Sequence, residues 1–305
     1  MLTTPVAFLI FNRPEATRRT FARIREARPP VLLVVADGPR PDHADDEELC
    51  RAARDAVAEV DWNCRVLTNF SAGNLGCRRR VSSGLQWVFN EVDEAIILED
   101  DCLPHESFFG FCQELLQRYR DDERVGQIGG VTFRNPARPA HYSYYFSRYF
   151  HVWGWASWRR AWEGYDESMG RYAEARRSRF LRRLLGDWRL ASYWEHVLDK
   201  VYRGEVDTWD YQWMFHNWLH GRLAIAPSAK LVANIGFGSQ ATHTKSGHRA
   251  PDGEDSGVAL PLSHPPQVVR DAVSDRDTER RHYRINFQAY GMVPLSKLKR
   301  LLRAL

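Results

Sequence analysis

Three consecutive carboxylates, Glu99-Asp100-Asp101, directly follow the apolar run AIIL at 95–98. Like charges crowded at the end of a buried strand push carboxylate pKa values up unless a cation compensates. A divalent ion does this well, and oxygen-only ligands select Mg2+ or Mn2+ over Zn2+. Alternation along an extended chain sends Glu99 and Asp101 one way and Asp100 the other, so the three acids have separate roles. The plain alternative is a solvated acidic loop.

Other residues converge on the same end of such a strand. Asn12-Arg13 follows the apolar run PVAFLIF and precedes a helical stretch, so Arg13 could meet a phosphate at the helix N-terminus. Asp37 closes VLLVVA and either accepts a hydrogen bond from a base N–H or starts an Asp-Gly turn. Asn74 and Gly76 open a helix carrying Arg78, Arg79 and Arg80, some of them on a solvated face and one able to reach a nucleotide. Neither GxxxxGK nor GxGxxG occurs, which argues against a P-loop ATPase and a dinucleotide oxidoreductase.

In the second half, Asp207 and Asp210 flank Trp209 at the start of a helical stretch, 209–220. Asp207 reads as the N-cap of that helix. Asp210 falls in the first turn, where the dipole favours the ionised form a general base requires; it could also serve only to stabilise the helix start. Trp155, Trp158 and Trp162 fall at helical spacing and read as core. Tyr149 and Trp153 break that spacing, and either could offer a ring face to a sugar. Arg148, Arg159 and Arg160 bind an anionic acceptor or are surface charges. Asp166 is a second acid or a turn residue.

These residues need elements to hold them. Apolar runs at 5–11, 31–36, 64–68, 95–98 and 125–131 read as strands, and they alternate with helical stretches at 15–27, 45–60, 74–89 and 107–119. That order predicts an α/β fold with a mostly parallel sheet covered on both faces, binding its ligand at the strands' carboxyl ends. Beyond it lie an aromatic region at 141–162, a basic helix-like stretch at 171–203 and a Gly-, Ser- and His-rich segment at 234–257 that reads as a mobile loop. Leu295, Leu298, Leu302 and Leu305 line one face of a basic terminal helix, 293–305, which either rests on an anionic membrane or docks on the protein.

With 305 residues, the chain suits one large α/β domain or a domain with an appendage. A charged content of 27% beside 44% hydrophobic residues excludes a disordered chain. The net charge of +4 suits an anionic substrate and gives no reason to expect nucleic acid. Five cysteines, odd in number and without a CxxC pair, read as reduced thiols in the cytoplasm. No basic region precedes the first apolar run, which therefore reads as a strand rather than a signal peptide.

Taken together, FNRP at 11–14, the Asp37 turn, NLG at 74–76, and LEDD at 98–101 followed by Pro104 and Phe108-Phe109 resemble GT-A glycosyltransferases. N-acetylglucosaminyltransferase I and the family 2-like sugar transferases of bacterial polysaccharide loci are the parallels. In the second half, Trp209-Asp210 leads through Gly-Arg-Leu at 221–223 to Pro227 and a Gly-rich stretch with Thr242-His243, so the resemblance spans about residues 5 to 245. It implies a Rossmann-like nucleotide-sugar-binding half at 1–135, an acceptor-binding and catalytic half at 136–260, and a C-terminal helical extension at 261–305. It also implies roles for individual residues. Phe11, Arg13, Asp37, Asn74, Gly76, Arg80, Glu99 and Asp100 would bind the donor, with Arg13 on the diphosphate, Asp37 on a uracil base, Glu99 near the sugar and Asp100 near the ribose. Asp101 and His243 would hold Mn2+ or Mg2+. Trp153 and Trp209 would meet the acceptor, and Asp210 would be the catalytic base. The expected activity is inverting transfer from a UDP-sugar to a hydroxyl of a saccharide or lipid-linked glycan, in the cytoplasm or peripherally on the inner membrane face. A sugar nucleotidyltransferase and a non-catalytic glycan-binding protein of the same fold are the alternatives.

Overall fold

The structure, a computed structural model, describes residues 1–236 and 257–285. His243, most of the expected loop at 234–257 and the basic helix at 293–305 lie outside the described residues.

β1 (Val6–Ile10), α1 (Pro14–Ala27), β2 (Val31–Ala36), α2 (Asp46–Asp55), β3 (Arg65–Phe70), α3 (Cys77–Glu91) and β4 (Glu94–Glu99) alternate as the sequence predicts. Apolar runs buried on both faces make β1, β2 and β4, while β3 is a largely exposed edge strand. Proline at the first position of α1 fixes its start, since its missing N–H is an orphan there anyway. β1 lies between β2 and β4, parallel to both, with Ile10 opposite Ala36 and Leu9 opposite Glu99. This register brings Phe11, Asp37 and Asp100 to one end of the sheet.

The chain continues through β5 (Cys102–Pro104), α4 (Ser107–Arg118), β6 (Val125–Gly129), β7 (Tyr144–Ser147), β8 (Trp155–Trp158) and α5 (Arg159–Trp162). Next come α6 (Tyr172–Arg177), α7 (Phe180–Leu185), α8 (Trp188–Tyr202), α9 (Asp210–Leu219), β9 (Leu223–Pro227), β10 (Val232–Asn234) and α10 (Ala272–Arg281). The main sheet has eight strands in the order β3-β2-β1-β4-β8-β6-β9-β7. Only its first half is uniformly parallel: β8 runs antiparallel to both β4 and β6, and β7 runs antiparallel to β9. Six of the eight strands thus run the same way, so the sheet is mostly parallel as expected, with β8 and β7 reversed within it.

The tryptophans are core, as expected, but not through a helix. Trp155 and Trp158 are the ends of β8, and only Trp162 is helical. Each is at most 2% exposed. Together with Trp194, Trp213 and Trp218 they form a buried aromatic layer, in which Trp213 lies 5.1 Å from Trp162 and 5.6 Å from Trp155. The basic stretch at 171–203 breaks into three helices, with Arg179 and Gly186 in the left-handed region between them.

The end of the described chain packs onto β7. Asp271 caps α10 by accepting from Val273 and Ser274 N–H, and its own N–H donates to Phe146 O. Buried Asp275 accepts from Ser147 Oγ at 2.6 Å and pairs with Arg148. No helix among the described residues is long and apolar enough to cross a membrane.

Candidate active site

The acids sit where β4 leaves the sheet. Asp100 is 5% exposed; its Oδ2 accepts from Phe11 N–H at 3.2 Å, and its backbone O accepts from Thr20 Oγ1 at 2.9 Å. α1 and the end of β1 therefore clamp it. Arg13 reaches across from the same turn, with Nη1 2.6 Å from Asp101 Oδ2 and 3.3 Å from Asp100 Oδ1. Burial works against the Arg13 charge, but the three acids outweigh it and hold its pKa above the usual value. Burial, then the neighbouring acids, raise Glu99, and Asp210 adds to that push. Burial also raises Asp100, although Arg13 pulls the other way. Three carboxylates thus face a single guanidinium, an imbalance of hard oxygen donors that a divalent cation suits.

β10 pairs with β5 so that Asn234 lies opposite Cys102. Ile235 N–H donates to Asp101 O at 2.8 Å, and Gly236 lies so close that a Cβ there would fall 2.2 Å from Asp101 Oδ2. Ile235 and Gly236, the last residues described on this side of 237–256, therefore lie against Asp101. Among the described residues no group of three or more His, Cys, Asp or Glu side chains is placed to hold a metal ion.

Two clefts open from the acids. The first is lined by Phe11, Asp37, Asn74, Gly76, Arg80 and Asp100 among others. Its far wall is organised by Asp37, whose carboxylate accepts from Gly38 N–H at 2.8 Å, Asn74 Nδ2 and Leu75 N–H at 3.0 Å each. Burial raises its pKa, and the backbone N–H groups of Leu75 and Gly38 oppose the shift. Gly76 has φ +79°, a left-handed conformation that favours glycine at the entry to α3. Arg80 lines this cleft, but its guanidinium is bound to Ala36 O and to the backbone and side-chain oxygens of Asn69. It braces the ends of β2 and β3.

The second cleft carries Trp153, Trp209, Asp210 and Asp101, with Phe133, His151, His282 and Tyr283. Trp209 is only 3% exposed and stacks on Trp155 at 5.7 Å. Thr208 Oγ1 donates to Asp210 Oδ1 in a short contact, which orients the acid at the start of α9. His282 stacks on Phe133 at 4.0 Å and lies 4.9 Å from His151. Burial lowers His282 to about 4 and, helped by His282, holds His151 well below its usual value, while burial raises the Tyr283 hydroxyl. This wall is uncharged at neutral pH. Arg13, Cys77, Glu99 and Asp207 line both clefts.

Asp207 corrects an expectation. It does not cap the helix that follows it. Its carboxylate accepts from Cys77 N–H at 3.0 Å and Arg78 N–H at 3.2 Å, and so caps α3, 130 residues earlier in the chain. Trp209 is the N-cap residue of α9, without a side-chain bond.

Several other candidates are structural. Tyr149 is 1% exposed and donates to Glu279 Oε1 at 2.7 Å, so its ring offers no face to a ligand. Arg148 is buried against Asp275, Arg159 bonds to Phe89 O, and Arg160 bonds to Arg120, Val125 and Tyr119 O beneath Trp158. Asp166 holds a turn through Ser168 and Gly170. Sequence reasoning missed Cys77, Phe133, His151, Thr208, His282 and Tyr283. Only Thr208, two residues before Asp210, carried a local signal.

No family model and no curated protein matches this chain. Among solved structures it is similar to a mannosyltransferase from Pyrobaculum calidifontis in complex with GDP-Man and Mn2+. That match has 11% identity, a TM-score of 0.44, and covers 79% of this chain and 59% of the other. Mouse xyloside xylosyltransferase 1 in its apo form gives 13% identity, a TM-score of 0.33 and coverage of 70% and 81%. UDP-glucose pyrophosphorylase complexed with UDP-glucose gives 10%, 0.29 and coverage of 49% and 64%. The chain thus spans less than two thirds of the length of the mannosyltransferase and of the pyrophosphorylase.

Proposed function

We propose that the protein is a metal-dependent inverting glycosyltransferase that moves a sugar from a nucleoside-diphosphate sugar, UDP-linked, to a hydroxyl of a saccharide or lipid-linked glycan. The observation that carries this reading is the meeting of two clefts at one set of groups: Arg13, Cys77, Glu99 and Asp207 line both. A bisubstrate reaction needs such a junction, with each reactant held on its own side.

The first cleft would take the donor. Asp37 and Asn74 face the base, Phe11 and Asp100 the ribose, Glu99 the sugar and Arg13 the diphosphate. Asp101, with His243, would hold Mn2+ or Mg2+, whose charge offsets that of the leaving diphosphate when bound. Arg13 already supplies one positive charge at Asp101, and the surplus of carboxylates accommodates a second. The acceptor would lie in the second cleft against Trp153 and Trp209, where neutral His151, His282 and Tyr283 suit a saccharide hydroxyl better than an ion. Asp210 would remove the proton from that hydroxyl as it attacks the anomeric carbon from the side opposite the diphosphate, inverting its configuration.

Nucleotide binding tests the donor side. Titration of nucleoside diphosphates with Mn2+ and with EDTA should give at least about tenfold tighter binding with the ion, and Asp101→Ala should abolish the difference. Equal affinity in EDTA for the wild-type chain would overturn the metal assignment.

A further inference from the structure

We infer that the surface formed by α6, α7 and the first turn of α8 docks on an anionic lipid membrane. Residues 171–189 carry seven arginines against Glu174 and Asp187, a net charge of +5. The whole chain carries +4, so everything outside this short segment sums to −1. The chain's positive character is thus concentrated in one place.

The charge is also displayed. Arg177, Arg179, Arg182 and Arg183 are all exposed. α7 has six residues, about 9 Å of helix, so these guanidiniums crowd a small area. Arg177, Arg179 and Arg182 make no ion pair among the described residues, whereas Arg176 is taken up by Glu195 and Asp199. Beside them stands Trp188, 62% exposed, the most exposed of the aromatic side chains described. Arg189 lies 5.3 Å from its ring centre. Leu184 and Phe180 are half-buried on the same short helix.

This composition fits the membrane interface. Guanidiniums meet lipid phosphates, while an indole inserts at headgroup level. A nucleic-acid surface would instead favour several stacked aromatic rings, and here one is displayed. α8 connects the patch to the second cleft, because Trp194, six residues beyond Trp188, packs on Tyr211 and Tyr283 of that cleft. Docking would bring the cleft towards the lipid surface, which suits a lipid-linked acceptor; that last clause rests on the proposed function, and the docking itself does not.

Co-sedimentation of the full chain with vesicles tests this without any turnover assay. Vesicles of equal parts phosphatidylcholine and phosphatidylglycerol should bind it, with binding lost as salt rises, and vesicles of phosphatidylcholine alone should not. Arg177→Glu with Arg182→Glu should weaken binding about tenfold or more, while the same charge change on α1, Arg18→Glu with Arg23→Glu, should leave most of it. Trp188→Ala should weaken vesicle binding several-fold and leave heparin binding unchanged. Melting temperatures matching wild type establish that the variants fold. The inference fails if the patch reversal leaves vesicle binding intact, if the α1 reversal weakens it equally, or if Trp188→Ala has no effect on vesicles.

Discussion

The two halves of the sheet use charge in opposite ways. Around β1, β2 and β4, carboxylates stay at the strand ends and face open clefts, with Arg13 as their close counter-charge. Around β8, β6, β9 and β7, the arginines that looked available, Arg148, Arg159 and Arg160, are spent on Asp275 and on backbone carbonyls. The open groups there are aromatic rings, neutral histidines and the single acid Asp210 at the start of α9. A charged residue in sequence is therefore a site candidate at a parallel strand's carboxyl end, where register gathers such residues, and more often a brace in an antiparallel aromatic layer.

The sharpest way to break this comparison is Asp210, the acid on the aromatic side. Asp210→Asn should lower transfer by about two to four orders of magnitude while donor affinity stays the same. Single-turnover assays with donor and acceptor would read this, and near-wild-type transfer would move the base elsewhere. Next is the aromatic layer itself. Trp213 stacks on His216 and packs at a tilt against Trp162, and its Nε1 donates to Gln127 Oε1 at 2.6 Å. Trp213→Ala should cost about 3–5 kcal/mol in urea unfolding; a cost below 1 kcal/mol would show a layer that is packed loosely.

Proton uptake should also differ between the halves. Burial, then His220, lowers His216 to about 4. An unfolded histidine titrates near 6.5, so below that pH the unfolded chain takes up the proton first. Stability from His216 is therefore intact at neutral pH and is lost as pH falls from about 6.5 towards 4. Between pH 7 and 5 the loss should be about 2 kcal/mol, and urea midpoints of His216→Gln should show correspondingly less acid sensitivity. The smallest effect expected is at Asp207. Asp207→Ala should destabilise by about 1 kcal/mol, and Asp207→Asn by less, because Asn also caps well. Equal thermal stability of all three proteins would mean that the α3 cap contributes nothing.

The first half was legible because β1, β2 and β4 are buried on both faces and read as unbroken apolar runs. VLLVVA gave β2 to the residue, and LEDD fell at the end of β4. The second half misled through spacing. Trp155, Trp158 and Trp162 repeat every three or four residues, a helical interval, yet a strand followed by a single helical turn produces the same interval. Partners distant in sequence left no local trace. Nothing near Asp207 points to Cys77, and nothing near His282 points to Phe133 and His151, because only the folded topology brings those segments together.

The bond from Asp207 to the start of α3 has a further consequence. It ties the rim of the first cleft, at Gly76 and Cys77, to Thr208 and to the start of α9 at Asp210. A shift of that rim on filling one cleft would then be felt in the other, and the two occupancies would be thermodynamically linked. Linkage is reciprocal: the factor by which a molecule in the aromatic cleft changes nucleotide affinity equals the factor by which nucleotide changes its own. A single carboxylate would thus let the protein register, at equilibrium, whether both of its guests are present.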